Sequence, residues 1–204
     1  MRRHIACIVC TACLAVLLVQ AAAHATPPKA PERIPAVMVG DRLVDVSLKL
    51  GVIPEGMSVR LSMWPDKAQA LPLATQILGC PNYVTKKHPE TIAEFMKQRG
   101  ITRLILEKSH KFCLYKKQVD PVHVADLVRD VPGVRIEYAD FTRGMPEGIA
   151  QVAALLGKQA QGEKVAAEYA EAMQAVEKAM PKAGLHRRVL VLNGTYAPAT
   201  GKTF

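Results

Sequence analysis

Aromatic residues are scarce in this chain of 204 residues: they make up 5%, and only one is tryptophan. Basic side chains outnumber acidic ones by 27 to 18, but they are scattered among glutamates rather than gathered with aromatics. Nucleic-acid-binding surfaces combine a continuous basic patch with aromatic stacking platforms, so we exclude that class of partner. Glycine and proline, at 13 and 14 residues, are too few for a collagen-like or linker sequence. Half of the residues are apolar, which predicts a folded chain of one domain or slightly more.

Cysteine and catalytic motifs are also sparse. Three of the five cysteines lie within residues 1–25, which leaves Cys80 and Cys113 with no CxxC metal motif. In an oxidising compartment their spacing leaves both a disulfide bond and two free thiols open. No GxSxG nucleophile elbow is present, and the Gly-Lys-Thr at 201–203 lacks the earlier glycine of a phosphate-binding loop, since Tyr196 stands there. We therefore predict a protein that is not an enzyme and needs no cofactor.

The first 25 residues have the pattern of a secretory signal peptide. Arg2 and Arg3 precede an uncharged apolar run over 5–19, and the small-x-small sequence at 23–25 fits a signal-peptidase site. The alternative is a permanent membrane anchor, because the apolar stretch is just long enough to span a bilayer. The alanine-rich exit from the run favours cleavage, so we expect an exported protein that works in the periplasm.

After a proline-rich leader over 26–33, short apolar runs alternate with helical stretches. Short extended segments are predicted at 34–39, 58–61, 82–84, 103–107, 135–139 and 188–192. Helices are predicted at 42–50, 67–78, 89–99, 121–130, 146–156 and 161–180. This alternation is typical of βαβ units, so we predict the α/β fold class with a mostly parallel, Rossmann-like sheet. The predicted organisation is an N-terminal α/β lobe at 34–157, a long helix at 158–184 and a further strand within 185–204.

Ligands of parallel α/β sheets bind outside the carboxyl ends of the strands. Five side chains in the segments that follow predicted strands are therefore candidate ligand contacts: Asp41, Trp64, His110, Tyr115 and Phe141. Asp41 is also the predicted N-cap of the helix that follows it. Trp64 can offer a flat apolar wall to a ligand, although an anchor in the core is an equally good interpretation.

The loop after the strand at 103–107 contains three potential metal donors, His110, Cys113 and Tyr115. Imidazole and thiolate suit zinc, copper or heme iron, so His110 and Cys113 are candidate metal ligands. The alternative is a surface loop with its Phe and Leu packed inward. The residues of the loop leave both interpretations open.

The order of these motifs resembles the class III periplasmic solute-binding proteins of ABC importers, the relatives that bind siderophores, heme, cobalamin or metal ions. The matching segments are 33–37 with Gly40 as an opening strand and turn, 48–52 as a helix end, 89–92 leading into 103–106, and 148–157 running into the long helix at 163–176. The resemblance covers about residues 33–195. It implies two α/β lobes joined by a rigid helix, with the ligand held in the cleft between them.

The resemblance gives 161–180 the role of the bridging helix and makes 188–192 the first strand of a second lobe. Only about two dozen residues follow Met180, so we expect a chain truncated after the N-terminal lobe and bridging helix. The alternative is that the last strand docks back on the first lobe. The implied function is to capture an iron chelate, heme, corrinoid or metal and to deliver it to an ABC permease in the inner membrane, with Glu55 docking on the permease. The alternative is a stand-alone exported α/β domain with a regulatory or structural role.

Overall fold

The computed structural model describes residues 30–64, 66, 70–110, 112–113 and 119–180. The predicted signal peptide, Tyr115 and the predicted strand at 188–192 therefore lie outside the described residues. Within the described ranges, no helix is both long and apolar enough to cross a membrane.

The described part of the chain contains one sheet of five parallel strands. They are β1 (Glu32–Val39), β2 (Val52–Ser58), β3 (Gln76–Ile77), β4 (Arg103–Lys108) and β5 (Arg135–Asp140). Their order across the sheet is β3-β2-β1-β4-β5. The α-helices are α1 (Asp41–Lys49), α2 (Leu71–Ala74), α3 (Thr91–Arg99), α4 (Val124–Leu127), α5 (Met145–Leu155) and α6 (Gln159–Ala179). Two 3₁₀ turns span Leu61–Met63 and Pro121–His123, and a π-helical turn spans Tyr83–Lys87.

The sheet is covered on both faces, as the nearly continuous apolar runs of its central strands indicate. In β1, Met38 packs into the cluster formed with α1, α5 and α6, whereas Val37 and Val39 pack into the cluster formed with α3 and α4. All three side chains are fully buried. A shift of one residue would exchange the two faces, so this packing specifies the register and hence which side chains reach the carboxyl edge of the sheet.

The predicted α/β class with a parallel sheet is confirmed. Strands β1, β4 and β5 and helices α1, α3, α5 and α6 begin and end within two residues of their predicted bounds. Glycines mark some of these ends, as Gly100 does after α3 with a left-handed φ of 65°. The helix predicted at 121–130 is shorter than expected, because only a 3₁₀ turn and the four residues of α4 form there.

The second strand is where the sequence-based prediction is wrong. β2 covers Val52–Ser58, whereas the prediction starts its strand at residue 58. Pro54 and Gly56 made this strand hard to recognise, because both residue types are uncommon inside strands. The sheet accommodates Pro54 because the register with β1 slips just beyond that position. Gly56 is required because a Cβ atom there would lie 2.5 Å from the Phe95 ring.

The segment after β2 also differs from expectation. In place of the helix predicted at 67–78, the described residues form the short helix α2 and then the edge strand β3. Thr75 ends α2, because its backbone is extended and its hydroxyl donates to the Pro54 carbonyl oxygen at 2.7 Å. The extended segment predicted at 82–84 is wrong as well, since Tyr83–Lys87 forms a π-helical turn.

Candidate functional site

The strand order makes the carboxyl end of β1 a topological switch point, which is where open parallel sheets form their ligand crevice. From β1 the chain adds β2 and β3 on one side, and then crosses to add β4 and β5 on the other. Such a switch point is the usual ligand site of open parallel sheets, because the connections leave in opposite directions and open a gap. The described segments that follow β1, β2 and β4 into this crevice are 40–42, 59–60 and 109–110.

Arg60 is held at the crevice by two neighbours. Its backbone N–H donates to Oδ1 of Asp41 at 2.8 Å, and its guanidinium donates to Oδ2 of the same carboxylate. The guanidinium carbon also lies 4.6 Å from the centroid of the Phe112 ring, in a cation–π contact. The Arg60 side chain remains 30% exposed, against 8% for Asp41. The arrangement therefore presents an oriented cation, partly neutralised, to the crevice.

Asp41 is not the N-cap of α1, contrary to the sequence-based prediction. Gly40 holds that position, and Asp41 is the first residue of the helix, with its carboxylate on Arg60. Glu107 binds the backbone amides that a capping side chain would otherwise bind. The local pattern was misleading because a residue from another strand supplies the cap.

Glu107 brings a buried carboxylate to the amino end of α1. Its side chain is 1% exposed, and Oε2 accepts hydrogen bonds from the backbone N–H groups of Arg42 at 2.8 Å and Leu43 at 3.4 Å. The Arg42 guanidinium lies 4.0 Å from Oε1. Burial raises the pKa of Glu107 above its usual value, and the Arg42 amide is the largest influence that opposes this rise.

Gly40 makes this close approach possible. Its φ of 130° lies in a region that residues with a side chain rarely adopt, and a Cβ atom there would lie 2.2 Å from the Cβ of Glu107. Its N–H donates to the Ser58 carbonyl oxygen at 3.1 Å, which joins the turn to the end of β2. Glycine is therefore needed both for the turn and for the space that Glu107 occupies.

The carboxyl end of β5 carries a second acidic group. Asp140 accepts hydrogen bonds from the Thr142 hydroxyl at 2.6 Å and the Thr142 N–H at 2.8 Å, and Lys108 lies 3.0 Å away. The Thr142 side-chain hydrogen bond is the main reason that the pKa of Asp140 falls to about 2. The neighbouring Phe141 is 4% exposed, and its ring packs against Gly148, so the structure places this candidate ligand contact in the core.

The other candidate residues are spread along the same edge. Trp64 is half-buried and packs against the core cluster that includes side chains of α1, which fits the core-anchor interpretation. His110 is exposed, and Cys113 is a half-buried free thiol, as is Cys80. Tyr115 lies outside the described residues. Their roles as ligand contacts remain predictions.

A metal centre receives no further support from the described side chains. Among them, no group of three or more His, Cys, Asp or Glu residues is arranged to hold a metal ion. Ligation by His110 and Cys113 remains a prediction. Glu55, the predicted docking residue, is 28% exposed and lies 3.9 Å from Arg99, so an ion pair already occupies part of its carboxylate.

Sequence reasoning missed Arg60 and Glu107, two of the charged side chains that define the crevice. Both residues lie inside predicted strands, at 58–61 and 103–107, and the prediction gave their charged side chains no functional role. The overlooked signal is a charged residue at the carboxyl end of an apolar strand, because that end of a parallel sheet faces the ligand crevice.

No family model and no curated protein matches this chain. Among solved structures, it is similar to the periplasmic heme-binding protein BhuT in complex with two hemes, with a TM-score of 0.50 at 16% identity over 73% of this chain and 50% of that one. RhuT from Roseiflexus sp. RS-1, a periplasmic heme-binding protein in its apo form, gives 0.49 at 17% identity over 72% and 49%. SirA from Staphylococcus aureus complexed with staphyloferrin B gives 0.48 at 18% identity over 75% and 46%.

The chain spans about half the length of these structures. At such low identity the likeness to BhuT shows the fold alone. The resemblance inferred from the sequence is thereby confirmed for the fold, which this chain shares with part of BhuT.

Proposed function

We propose that this chain captures a small solute in the periplasm as the binding component of an ABC importer, and delivers it to a permease in the inner membrane. The main support for this proposal is the geometry at the switch point of the sheet. There, Arg60 contacts Asp41 and Phe112 and remains partly exposed. The fold shared with BhuT supports the same proposal, because that protein is a periplasmic heme-binding protein. Export to the periplasm rests on the signal-peptide pattern of the first 25 residues.

The proposed solute is an iron chelate, heme, a corrinoid or a metal ion. A flat metal-bearing ligand suits an edge that offers the half-buried Trp64 and the cation of Arg60. His110 and Cys113 would then supply metal donors from the loop after β4, with Tyr115 as a further candidate. Glu55 is the proposed docking residue for the permease, where it would exchange its pairing with Arg99 for one across the interface.

Binding, rather than catalysis, fits the chemistry of the crevice. Both oxygens of Asp41 are occupied by Arg60, and Oε2 of Glu107 is occupied by the amides of α1. Neither carboxylate is placed to exchange a proton with a substrate, because general acid–base catalysis needs a group within reach of the reacting atom. The alternative is a stand-alone exported α/β domain with a regulatory or structural role, which predicts no solute binding.

The test is a fluorescence titration of the full chain, which contains a single tryptophan, Trp64. Heme, cobalamin, a ferric siderophore and divalent metal ions are added in turn, and free tryptophan corrects for light absorbed by the ligand. We expect saturable quenching by one of these classes. In Arg60→Met the affinity should fall about tenfold, as expected for loss of a charge-assisted contact.

Arg135→Met is the matched control, because Arg135 is exposed on the edge strand β5 and away from the crevice. Its affinity should equal that of the unmodified chain, with circular dichroism to verify that both variants are folded. A folded chain that binds none of the four classes would contradict the transport proposal and favour the stand-alone domain.

A further inference from the structure

A side chain from the neighbouring strand fills the amino end of α1. Glu107 on β4 points its carboxylate at the first amides of this nine-residue helix, and Oε2 accepts from Arg42 and Leu43. Aligned peptide groups give the start of a helix a partial positive charge, which favours an anion there. The side chain is 1% exposed, so solvent has almost no access to the bound carboxylate.

A second polar side chain, that of Ser109, is buried two positions after Glu107. Its hydroxyl opposes the rise in the pKa of Glu107 that burial causes. Within the described residues this hydroxyl has no hydrogen-bond partner, although Ser109 is only 6% exposed. Together with the Arg42 guanidinium, 4.0 Å from Oε1, the amides of Arg42 and Leu43 converge on one anionic group. This is the donor set that would surround a bound phosphate.

We propose that Glu107 is a specificity-determining residue that acts as a built-in anion in the crevice. In open parallel sheets the helix after the first strand is a common phosphate site, because its free N–H groups face the ligand. Here the carboxylate of Glu107 occupies that position and excludes phosphate-bearing and small carboxylate ligands from the start of α1. Recognition of the solute then falls to Arg60, a step that rests on the proposed function.

Space and charge both support this exclusion. The Cβ of Glu107 lies so close to Gly40 that a single added carbon would be 2.2 Å away, so no second group fits between them. A second anion beside a buried carboxylate is also repelled, because the low dielectric of the interior strengthens interactions between like charges. Removing the carboxylate should therefore convert the start of α1 into an open anion site.

The experiment compares the unmodified chain with Glu107→Ala and Glu107→Gln in phosphate, formate and chloride at constant ionic strength. In Glu107→Ala the melting temperature should rise with the logarithm of the anion concentration, by about 3–6 °C at roughly ten times the dissociation constant of phosphate or formate. The unmodified chain and Glu107→Gln should show no rise beyond that in chloride. Glu107→Gln is the matched control because its side chain has the same length and still fills the position.

Amide signals in ¹⁵N-correlated spectra locate the binding. Those of Arg42 and Leu43 should shift on addition of phosphate in Glu107→Ala alone. The same shifts in the unmodified chain would overturn the proposal, because Glu107 would not be excluding the anion. A folded Glu107→Ala that binds neither anion would overturn it as well.

If Glu107→Ala is unfolded in chloride, refolding in phosphate or formate becomes the readout. Recovery of the folded state in either anion supports the proposal, and failure in both overturns it. None of these measurements uses the solute. An anion effect together with a failed solute titration would therefore uphold the role of Glu107 while contradicting the transport function.

Discussion

The two ends of β4 carry charged side chains of opposite sign in opposite surroundings. Arg103 at the amino end is 23% exposed and donates to Glu137 and to the Leu155 carbonyl oxygen, both at 2.7 Å. Glu107, four positions later, is almost fully buried and bound chiefly by backbone amides. Arg103 links β4 to β5 and to the end of α5 by hydrogen bonds. Burial, in contrast, disfavours the charged form of Glu107. This burial fits the role proposed for Glu107, because the carboxyl end of the strand is the end that faces the crevice.

The largest expected effect comes from closing the space beside Glu107. Gly40→Ala adds a Cβ atom 2.2 Å from that of Glu107, at a φ of 130°. Overpacking and backbone strain together should lower the free energy of unfolding by about 3–5 kcal/mol. Urea denaturation provides the measurement.

Gly51→Ala is the control for Gly40→Ala. Gly51 also has a positive φ, of 72°, but a Cβ atom there would meet nothing within 4 Å. Strain alone should lower the free energy of unfolding by about 1 kcal/mol. Equal losses in the two variants would contradict a special packing requirement at the carboxyl end.

At the amino end of β4, Arg103→Met should lower the free energy of unfolding by about 1–2 kcal/mol. The change removes charge-assisted hydrogen bonds to Glu137 and to the Leu155 carbonyl oxygen. Solute affinity should stay unchanged, because this end of the sheet lies opposite the crevice. Arg135→Met, at an exposed position in register with Arg103, should stay within about 0.5 kcal/mol of the unmodified chain. A loss of solute binding in Arg103→Met would show that the two ends are coupled.

The pH dependence of stability separates Glu107 from an ordinary surface carboxylate. Because the pKa of Glu107 is raised in the folded chain, its contribution to the free energy of unfolding is fully present below the ordinary pKa of 4.5. That contribution is lost as the pH rises through the pKa of the folded chain. Glu107→Gln lacks this loss. Its stability relative to the unmodified chain should therefore improve as the pH rises above 4.5, in urea denaturation series at successive pH values. A relative gain by the unmodified chain would mean that the amide hydrogen bonds outweigh the desolvation of the charge.

Asp140 should behave in the opposite sense and with the smallest effect. Its pKa is lowered to about 2, mainly by the Thr142 hydroxyl. Its contribution to the free energy of unfolding is therefore present above the ordinary pKa of 3.8 and is lost as the pH falls toward 2. The same denaturation series should show a small acid-dependent loss that is absent in Asp140→Asn. Thr142→Val should reduce it, because the largest single cause of the lowered pKa is removed while the Thr142 N–H and Lys108 remain. An unchanged acid profile in that variant would contradict the assignment to the Thr142 hydroxyl.

The fold was largely predictable because its signals are local. β4, with the apolar run Leu104-Ile105-Leu106, and α5, which follows Gly144, were recognised within two residues of their bounds. β2 was missed because Pro54 and Gly56 oppose strand propensity, and the packing that accommodates Gly56 comes from Phe95 on a helix much later in the chain. Local propensity cannot report a partner that is distant in sequence.

The sequence predicted which edge of the sheet carries the candidate site, but not which charged side chains pair there. The carboxyl edge of the sheet was expected to carry the ligand, and the crevice at the switch point lies there. Asp41 was expected as a helix cap and a ligand contact, yet its carboxylate binds Arg60. Pairing between charged residues depends on which strands become neighbours, so their roles were not readable from their own surroundings in the chain.

The amino-acid sequence by itself determined the alternation of strands and helices, since apolar periodicity and glycine stops act over a few residues. Only the tertiary structure decided which charges meet at the crevice. Asp41 and Arg60 are separated by 19 positions, and Arg42 and Glu107 by 65. Such contacts form only when the order β2-β1-β4 brings three strand ends side by side. The physical reason is that burial and pairing set the behaviour of a charge, and both are properties of the packed sheet rather than of the local chain.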